Sequence, residues 1–334
     1  MNSATSKPEA TIDIAGPCLI LSSMAGLGNH RIATNLMNAI NHESTCQHLQ
    51  IEDLIDQDLK QADFGRYEYI CRNYPWVLYF IYYFPISYWR KFIALKFIRP
   101  NKLQTLINKM KHDNIKTVIA VNHRAALWVG ALKYHNLTQC ELNVLIPDYS
   151  VGSGWRYLFW NQITRVWGPV PNKLFKSKYT HCPIPIDKKI NQTNKLALDK
   201  KQILITGGGW GLGPLNKICA ELHNASDGLE INVVCGNNRP LFNELRSLYK
   251  SNHQVRIFGC IDSLIPLIQQ ASAIITRPGA STIAESLQFN KKIFIIPGLP
   301  GPEQENARYL YQNGLAVTYT KNVFFKWLKP NSSA

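Results

Sequence analysis

The C-terminal half of the chain alternates short apolar runs with amphipathic stretches, and this pattern constrains the fold more than any other feature. Apolar runs predict strands at 203–206, 231–235, 255–258, 273–276 and 293–296. The stretches between them, such as 240–250 and 263–271, have helical spacing. Strict alternation predicts a parallel sheet with right-handed crossovers. Such sheets bind ligands at the carboxyl ends of their strands, so the turns that follow these runs are where a site is expected.

The N-terminal half shows the same pattern more thinly, with predicted strands at 18–23, 117–122 and 142–147. A length of 334 residues suits two domains. We therefore predict an α/β protein with two facing Rossmann-like domains and an interdomain cleft. The first covers 1–186, a polar linker covers 187–201, and the second covers 202–334.

Five glycines occupy seven positions directly after the first strand of the C-terminal half, at 207–213. A backbone without side chains can approach a diphosphate closely. The spacing differs from that of a Walker-type ATPase. It also departs from a dinucleotide fingerprint, because the second strand ends in Gly236-Asn237 rather than in an acidic residue.

A second turn of the same kind follows the strand at 273–276. Arg277, Pro278 and Gly279 lead into a helical pattern that we expect to begin at Ser281, a good N-cap residue. A helix N-terminus presents free backbone N–H groups to a phosphate. Glu285 lies about one turn further on, where its carboxylate can accept hydrogen bonds from a ribose. An ordinary strand–helix turn with a surface glutamate is the alternative, but two phosphate-suited turns together favour a nucleotide-diphosphate site.

In their order, these motifs resemble those of the nucleotide-sugar-dependent glycosyltransferases with two Rossmann-like domains (GT-B type). The most similar groups are the monogalactosyl- and glucosyl-diacylglycerol synthases and the lipid-linked GlcNAc transferases of peptidoglycan synthesis. The resemblance rests on 207–213, 234–237, 258–259, 277–285 and 297–307. It implies that the second domain binds a UDP-sugar through Gly207, Gly208, Gly209, Gly211, Gly236, Asn237, Phe258, Gly279, Ala280, Ser281, Thr282, Glu285, Glu303 and Asn306.

The resemblance also implies the catalytic residues. His30, in Gly28-Asn29-His30-Arg31, matches the family's glycine-rich turn that closes in histidine, and a histidine can act as a general base near neutral pH. A capping or packing role is the alternative. His123 follows a strand and could contact the acceptor, and Arg277 could neutralise charge on the leaving group. No Asp-x-Asp lies between a strand and its loop, and no His/Cys cluster has the spacing of metal ligands, so we expect no obligatory metal and no cofactor besides the UDP-sugar co-substrate.

Charge and aromatic residues are concentrated in one segment of the N-terminal half. The formal net charge is +15, nine aromatics lie between Tyr74 and Trp89, and eight Lys/Arg lie between Arg90 and Lys116. The apolar part is too short to span a bilayer. Interfacial aromatics beside basic residues are typical of binding to an anionic membrane surface. A buried aromatic helix pair is the alternative. Nucleic acid is disfavoured as a partner, because the aromatics form one block instead of alternating with basic residues.

The sequence therefore predicts a membrane-surface, inverting glycosyltransferase that moves a hexose from a UDP-sugar to a lipid, with diacylglycerol as acceptor. Eight scattered cysteines and the lack of a secretory signal favour a cytoplasmic, peripheral location. Three alternatives stay open: a peptidoglycan-type GlcNAc transferase, a UDP-sugar hydrolase of the same fold, and a non-catalytic binding module. The last is kept open because only about 20 residues follow Gly314, where the family continues with further helices. The oligomeric state is not predicted.

Overall fold

The computed structural model describes residues 12, 14, 16–23, 27–40, 45–54, 69–84, 89, 103–156, 158–171, 175, 177–186, 201–225 and 228–329. These residues form two compact units, each built around a six-stranded parallel sheet. The predicted α/β fold with two Rossmann-like domains is confirmed. Most of the predicted linker, 187–200, lies outside the described residues, but its last residue, Lys201, is the first residue of a strand.

The sheet of the first unit has the strand order β2-β1-β3-β4-β5-β6. Its strands are β1 (Cys18–Ser22), β2 (Cys46–Gln50), β3 (Thr117–Ala120), β4 (Glu141–Leu145), β5 (Arg165–Gly168) and β6 (Tyr179–His181). The helices in this part of the chain are α1 (Leu27–Ala39), α2 (Pro75–Tyr83), α3 (Gln104–His112), α4 (His123–Tyr134) and α5 (Ser153–Arg156). The three predicted strands are present. Strands β2, β5 and β6 were not predicted, because each is short and lacks a continuous apolar run.

The strand order of this first sheet reverses between β1 and β3, since the chain passes from β1 to β2 on one side and then returns to form β3 on the other. Loops that leave neighbouring parallel strands in opposite directions open a crevice at the carboxyl ends. Helix α1, which carries His30, follows β1, and His123 is the first residue of the helix after β3. Both histidines therefore belong to the segments that follow the two strands of the switch point.

The sheet of the second unit has the strand order β12-β11-β10-β7-β8-β9. Its strands are β7 (Lys201–Thr206), β8 (Leu229–Val234), β9 (Val255–Phe258), β10 (Ala273–Thr276), β11 (Lys292–Ile295) and β12 (Val317–Thr318). Its helices are α6 (Leu215–His223), α7 (Arg239–Leu248), α8 (Ile265–Gln270), α9 (Ala280–Gln288), α10 (Pro302–Gln312) and α11 (Lys321–Leu328). The five predicted strands begin and end within two residues of the observed bounds.

The switch point of the second sheet lies between β7 and β10. All four residues of β10 and all but the first residue of β7 are buried, which explains why both strands read as continuous apolar runs. Helix α11 covers one face of the sheet, where the ring of Phe294 on β11 lies 5.1 Å from that of Phe324 and 5.5 Å from that of Trp327. The two strands at the switch point are thus almost fully buried, and they carry the two turns of interest.

Candidate active site

The turn after β7 is built from glycines in the left-handed region. Gly208 and Gly211 have φ angles of +72° and +57°, which only glycine adopts without strain. The N–H of Gly211 donates to the Gly208 carbonyl at 3.0 Å, and the N–H of Leu212 donates to the Gly207 carbonyl at 3.2 Å. The chain therefore folds back on itself directly at the carboxyl end of the strand.

The loop after β8 fits against this turn. The N–H of Asn237 donates to the Gly209 carbonyl at 2.8 Å, and the amide of Asn238 donates to the Gly211 carbonyl at 3.0 Å. A Cβ on Gly211 would overlap the carbonyl of Cys235, and one on Gly236 would lie 2.5 Å from the Gly209 oxygen. The two loops are in contact through their backbones, so glycine is required for packing at both positions.

Arg277 links the two sides of the switch point. It follows β10, its Nη1 donates to the Gly207 carbonyl at 3.2 Å, and its Nη2 contacts Glu303 on α10 at 2.6 Å. Asn306 on the same helix is fully buried and donates to the Pro278 carbonyl at 3.1 Å. Arg277, Glu303 and Asn306 thus fix the turn after β10 between the glycine turn and α10.

Helix α9 begins at Ala280, and its N-cap lies two residues before the predicted one. Its N-cap is Gly279, in an extended conformation, and the Gly279 carbonyl accepts the first helical bond from Ile283 at 3.0 Å. The prediction of Ser281 as N-cap is therefore wrong, because Pro278-Gly279 already supplies the extended cap and Ser281 lies within the first turn. The N–H groups at the start of α9 follow the switch-point strand, which is the arrangement that accommodates a phosphate.

Glu285 lies one turn into α9 with 1% of its surface exposed. The hydroxyl of Ser281, the neighbour four residues earlier, donates to Glu285 Oε1 at 3.4 Å. Thr282 is also buried. Phe258 ends β9, two strands from β7, and its carbonyl accepts from the N–H of Cys235 at 2.8 Å. The predicted donor-binding residues of the second unit are thus distributed over the turns at the carboxyl ends of β7, β8, β9 and β10 and over the helices α9 and α10.

His30 lies on α1 in the first unit, with its side chain exposed and its Nδ1 3.1 Å from the Gln50 amide nitrogen. The ring of His48 lies 4.9 Å away, centroid to centroid. The pKa of His48 is lowered to about 4, mainly because the ring is partly buried and to a smaller extent because His30 lies beside it. Sequence reasoning missed His48 and Gln50, because residues 46–50 (CQHLQ) show neither a continuous apolar run nor a strict alternation of polar and apolar residues.

His123 is the first residue of α4, and the helix is capped by the side chain of Asn122, which accepts from the N–H of Arg124 at 2.8 Å. The His123 ring lies edge-on to Trp155 at 6.0 Å. A Cβ on Gly154 would lie 2.7 Å from the His123 ring, so glycine at 154 allows this close approach. His123 is thus held at the carboxyl end of β3 by residues of the segment after β4.

Among the residues that the structure describes, no group of three or more His, Cys, Asp or Glu side chains is arranged to hold a metal ion. In the same part of the chain, no helix is long and apolar enough to cross a membrane.

Residues 202–330 match the model of the Glycosyltransferase family 28 C-terminal domain. The second unit carries a glycosyltransferase domain. A processive diacylglycerol beta-glucosyltransferase of Bacillus mycoides (strain KBAB4) is 27% identical over 326 residues, covering 90% of this chain and 81% of the relative. The corresponding protein of Bacillus cereus (strain B4264) is 34% identical over 125 residues, which are 37% of this chain but only 32% of the relative's length.

Solved structures confirm the fold. MurG of Acinetobacter baumannii has a TM-score of 0.58 at 17% identity, covering 95% of this chain and 90% of that one. The MnaA protein of S. aureus, solved with UDP, has a TM-score of 0.57 at 12% identity, covering 96% and 89%. Together with the family 28 match over 202–330 and the diacylglycerol glucosyltransferase relatives, this likeness in fold confirms the resemblance to GT-B glycosyltransferases stated from the sequence.

Proposed function

We propose that this protein is a glycosyltransferase that moves a hexose from a UDP-sugar to the hydroxyl of a lipid, with diacylglycerol as acceptor. The observation that carries the proposal is the pair of turns at the switch point of the second unit, which lies within the glycosyltransferase family 28 match. The names of the relatives, diacylglycerol beta-glucosyltransferases, support the choice of acceptor and hexose.

In this proposal the second unit binds the donor. The N–H groups at the start of α9 and in the glycine turn receive the diphosphate, and the helix dipole favours the negative charge that develops on the departing UDP. Glu285 accepts hydrogen bonds from the ribose hydroxyls, and its buried position strengthens them because water is excluded. Arg277 adds a positive charge next to Gly207 and, with Glu303, keeps the turn in place. Asn306 supports the same turn through Pro278.

His30 supplies the base. Gln50 lies against Nδ1, and when its amide oxygen faces this nitrogen it accepts from Nδ1–H, which leaves the Nε2 lone pair to an acceptor hydroxyl. Nε2 takes the hydroxyl proton while the acceptor oxygen forms a bond to the anomeric carbon of the hexose. The bond from that carbon to the diphosphate oxygen breaks, and UDP leaves with the electron pair. A single displacement of this kind inverts the anomeric carbon. His123, at the end of β3, helps to shape the acceptor side of the site.

The aromatic segment provides the contact with lipid. Along α2, aromatic residues four positions apart lie on the same face of the helix and form two stripes. One stripe consists of Trp76 and Phe80 and continues to Phe84, and the other consists of Tyr79 and Tyr83. All five side chains are exposed, Trp76 by 60%. Their exposure favours the surface interpretation over the buried helix pair. On the other side of α2 the Tyr82 hydroxyl lies 3.2 Å from the Ser150 hydroxyl in the segment after β4. Residues 90–102 of the basic run lie outside the described residues, and Lys111 and Lys116 are exposed. We propose that this surface binds an anionic membrane.

Calorimetry with UDP tests the donor assignment. Wild-type protein should bind UDP, and Glu285→Ala should weaken binding by about 1–3 kcal/mol, because the ribose hydroxyls lose their acceptor. Glu230→Ala is the matched control, since Glu230 lies at the amino end of β8, away from the turns. The donor assignment fails if the wild type binds no UDP, or if both variants bind it as well as the wild type does.

A further inference from the structure

Strand β2 runs beside β1 in the first unit and carries two polar side chains toward α1. His48 and Gln50 are two residues apart, so they project from the same face of the strand. His30 and Thr34 are four residues apart, so they share one face of the helix. These four side chains meet, with the two imidazole rings tilted by 39° at a centroid distance of 4.9 Å.

The hydrogen bonds around His48 fix its ring in one orientation and one tautomer. Thr34 Oγ1 donates its only proton to the His30 carbonyl at 3.0 Å, so it can act only as an acceptor toward His48 Nδ1, 3.4 Å away. Nδ1 therefore carries the ring proton. The Ser22 hydroxyl, 2.8 Å from Nε2, then donates to the remaining lone pair. Both ring nitrogens are satisfied in the neutral ring, in agreement with the lowered pKa of His48.

Gln50 contacts the His30 nitrogen that the proposed reaction does not use. As placed, its amide nitrogen donates to Nδ1 at 3.1 Å. The terminal torsion of a glutamine is broad and roughly two-fold, so the amide can turn over and present Oε1 to an Nδ1–H instead. An imidazole that takes a proton on Nε2 needs an acceptor of that kind at Nδ1. Both orientations hold the ring, but only the one that presents Oε1 to an Nδ1–H leaves a lone pair on Nε2 for the acceptor hydroxyl.

We propose that His48 and Gln50 are positioning residues for His30, which together hold its imidazole with Nε2 directed to the acceptor hydroxyl. His48 supports the ring, and Gln50 engages its inner nitrogen. Neither residue contacts the substrate in this account. The inference rests on the proposed role of His30 as the base, so its test needs one readout that does not require sugar transfer.

The first readout is the ¹⁵N spectrum of the His30 ring in histidine-labelled protein without substrate, at one neutral pH and assigned with His30→Gln. Gln50→Leu removes the hydrogen bond at His30 Nδ1, and His48→Phe removes the bonds to Ser22 and Thr34 that orient the neighbouring ring. Each variant should therefore shift the His30 ring signals. Gln47→Leu is the matched control on the same strand; its amide donates to Asp113 at 3.1 Å, and its loss should leave the His30 signals in place. Unchanged His30 signals in both test variants would overturn the positioning role, whatever the activity.

The second readout is the division of the effect between kcat and KM. Gln50→Leu and His48→Phe should lower kcat by about 10- to 100-fold through misplacement of the base, and Gln50→Glu, which keeps an acceptor, should recover most of the loss. KM for the UDP-sugar should stay within about twofold, since the donor is bound by the second unit. A change in KM alone would contradict the proposal. If the two variants shift the His30 ring signals but the wild type transfers no sugar, the placement of His30 is upheld and its catalytic function is overturned.

Discussion

Arg277 and Glu303 form an ion pair that is largely removed from solvent, with Nη2 2.6 Å from Oε2 and with 7% and 21% of the two side chains exposed. The same carboxylate oxygen accepts from the N–H of Leu299 at 2.7 Å. One glutamate therefore holds both the turn after β10 and the loop that leads into α10. Because Arg277 also bonds the Gly207 carbonyl, the pair fixes the two turns to which we assign the diphosphate.

Loss of this carboxylate should destabilise the protein strongly. Glu303→Ala leaves the Arg277 cation buried without its main partner, which should lower the free energy of unfolding by about 3 kcal/mol. Glu305→Ala is the control on the same helix, since its partner Arg308 is 64% exposed, and its cost should stay below about 1 kcal/mol. Urea unfolding of both variants measures the difference. Equal decreases in the free energy of unfolding would show that the buried Arg277–Glu303 pair stabilises the protein no more than the exposed pair does.

The contact between the loops after β7 and β8 should be necessary for UDP binding. Gly211→Ala places a Cβ on the Cys235 carbonyl, so the loops must separate and UDP binding should be lost. Gly314→Ala, after α10 and away from the turns, is the control: its φ is also positive, but a Cβ there meets no atom within 4 Å, so only backbone strain of about 1–2 kcal/mol is expected. UDP calorimetry compares the two. Equal binding by both variants would mean that contact between the loops does not form the site.

The sequence predicted the parts of the fold that depend on burial. Strands β7 and β10 were predicted because helices cover both faces of the sheet, so both strands are continuous apolar runs. The turn after β7 was predicted because glycine is the only residue type that its backbone allows without strain. Strand β2 was missed because this half-buried edge strand mixes polar and apolar residues and lacks that signal. The Arg277–Glu303 pair joins residues 26 positions apart, and no local pattern indicates such a contact. The prediction of Ser281 as N-cap was wrong because the actual cap, Gly279, has no side chain by which the sequence could indicate it.

The exposed aromatic stripe of α2 should control binding to membranes. Wild-type protein should sediment with vesicles that contain anionic phosphatidylglycerol, and binding should weaken as salt is added. Phe80→Ser should reduce binding, because it removes a ring from the middle of the stripe formed by Trp76, Phe80 and Phe84. Leu248→Ser is the control, as Leu248 is exposed by 67%, more than Phe80 at 45%, but lies on α7 of the second unit. Similar binding to neutral phosphatidylcholine vesicles, or none to either, would contradict the proposal.

The central claim is that the protein transfers sugar and that His30 is the base, and one transfer assay tests both parts. Purified protein is given UDP-glucose and diacylglycerol vesicles, and glycolipid is measured for the wild type and for His30→Ala, with His135→Ala, an exposed histidine of the same unit, as control. We predict that the wild type and the control form glucosyl-diacylglycerol, whereas His30→Ala is slower by about 10²–10⁴-fold with unchanged UDP affinity. A wild type that binds UDP but transfers no sugar from UDP-glucose, UDP-galactose or UDP-GlcNAc, or a His30→Ala variant as fast as the wild type, would contradict the account.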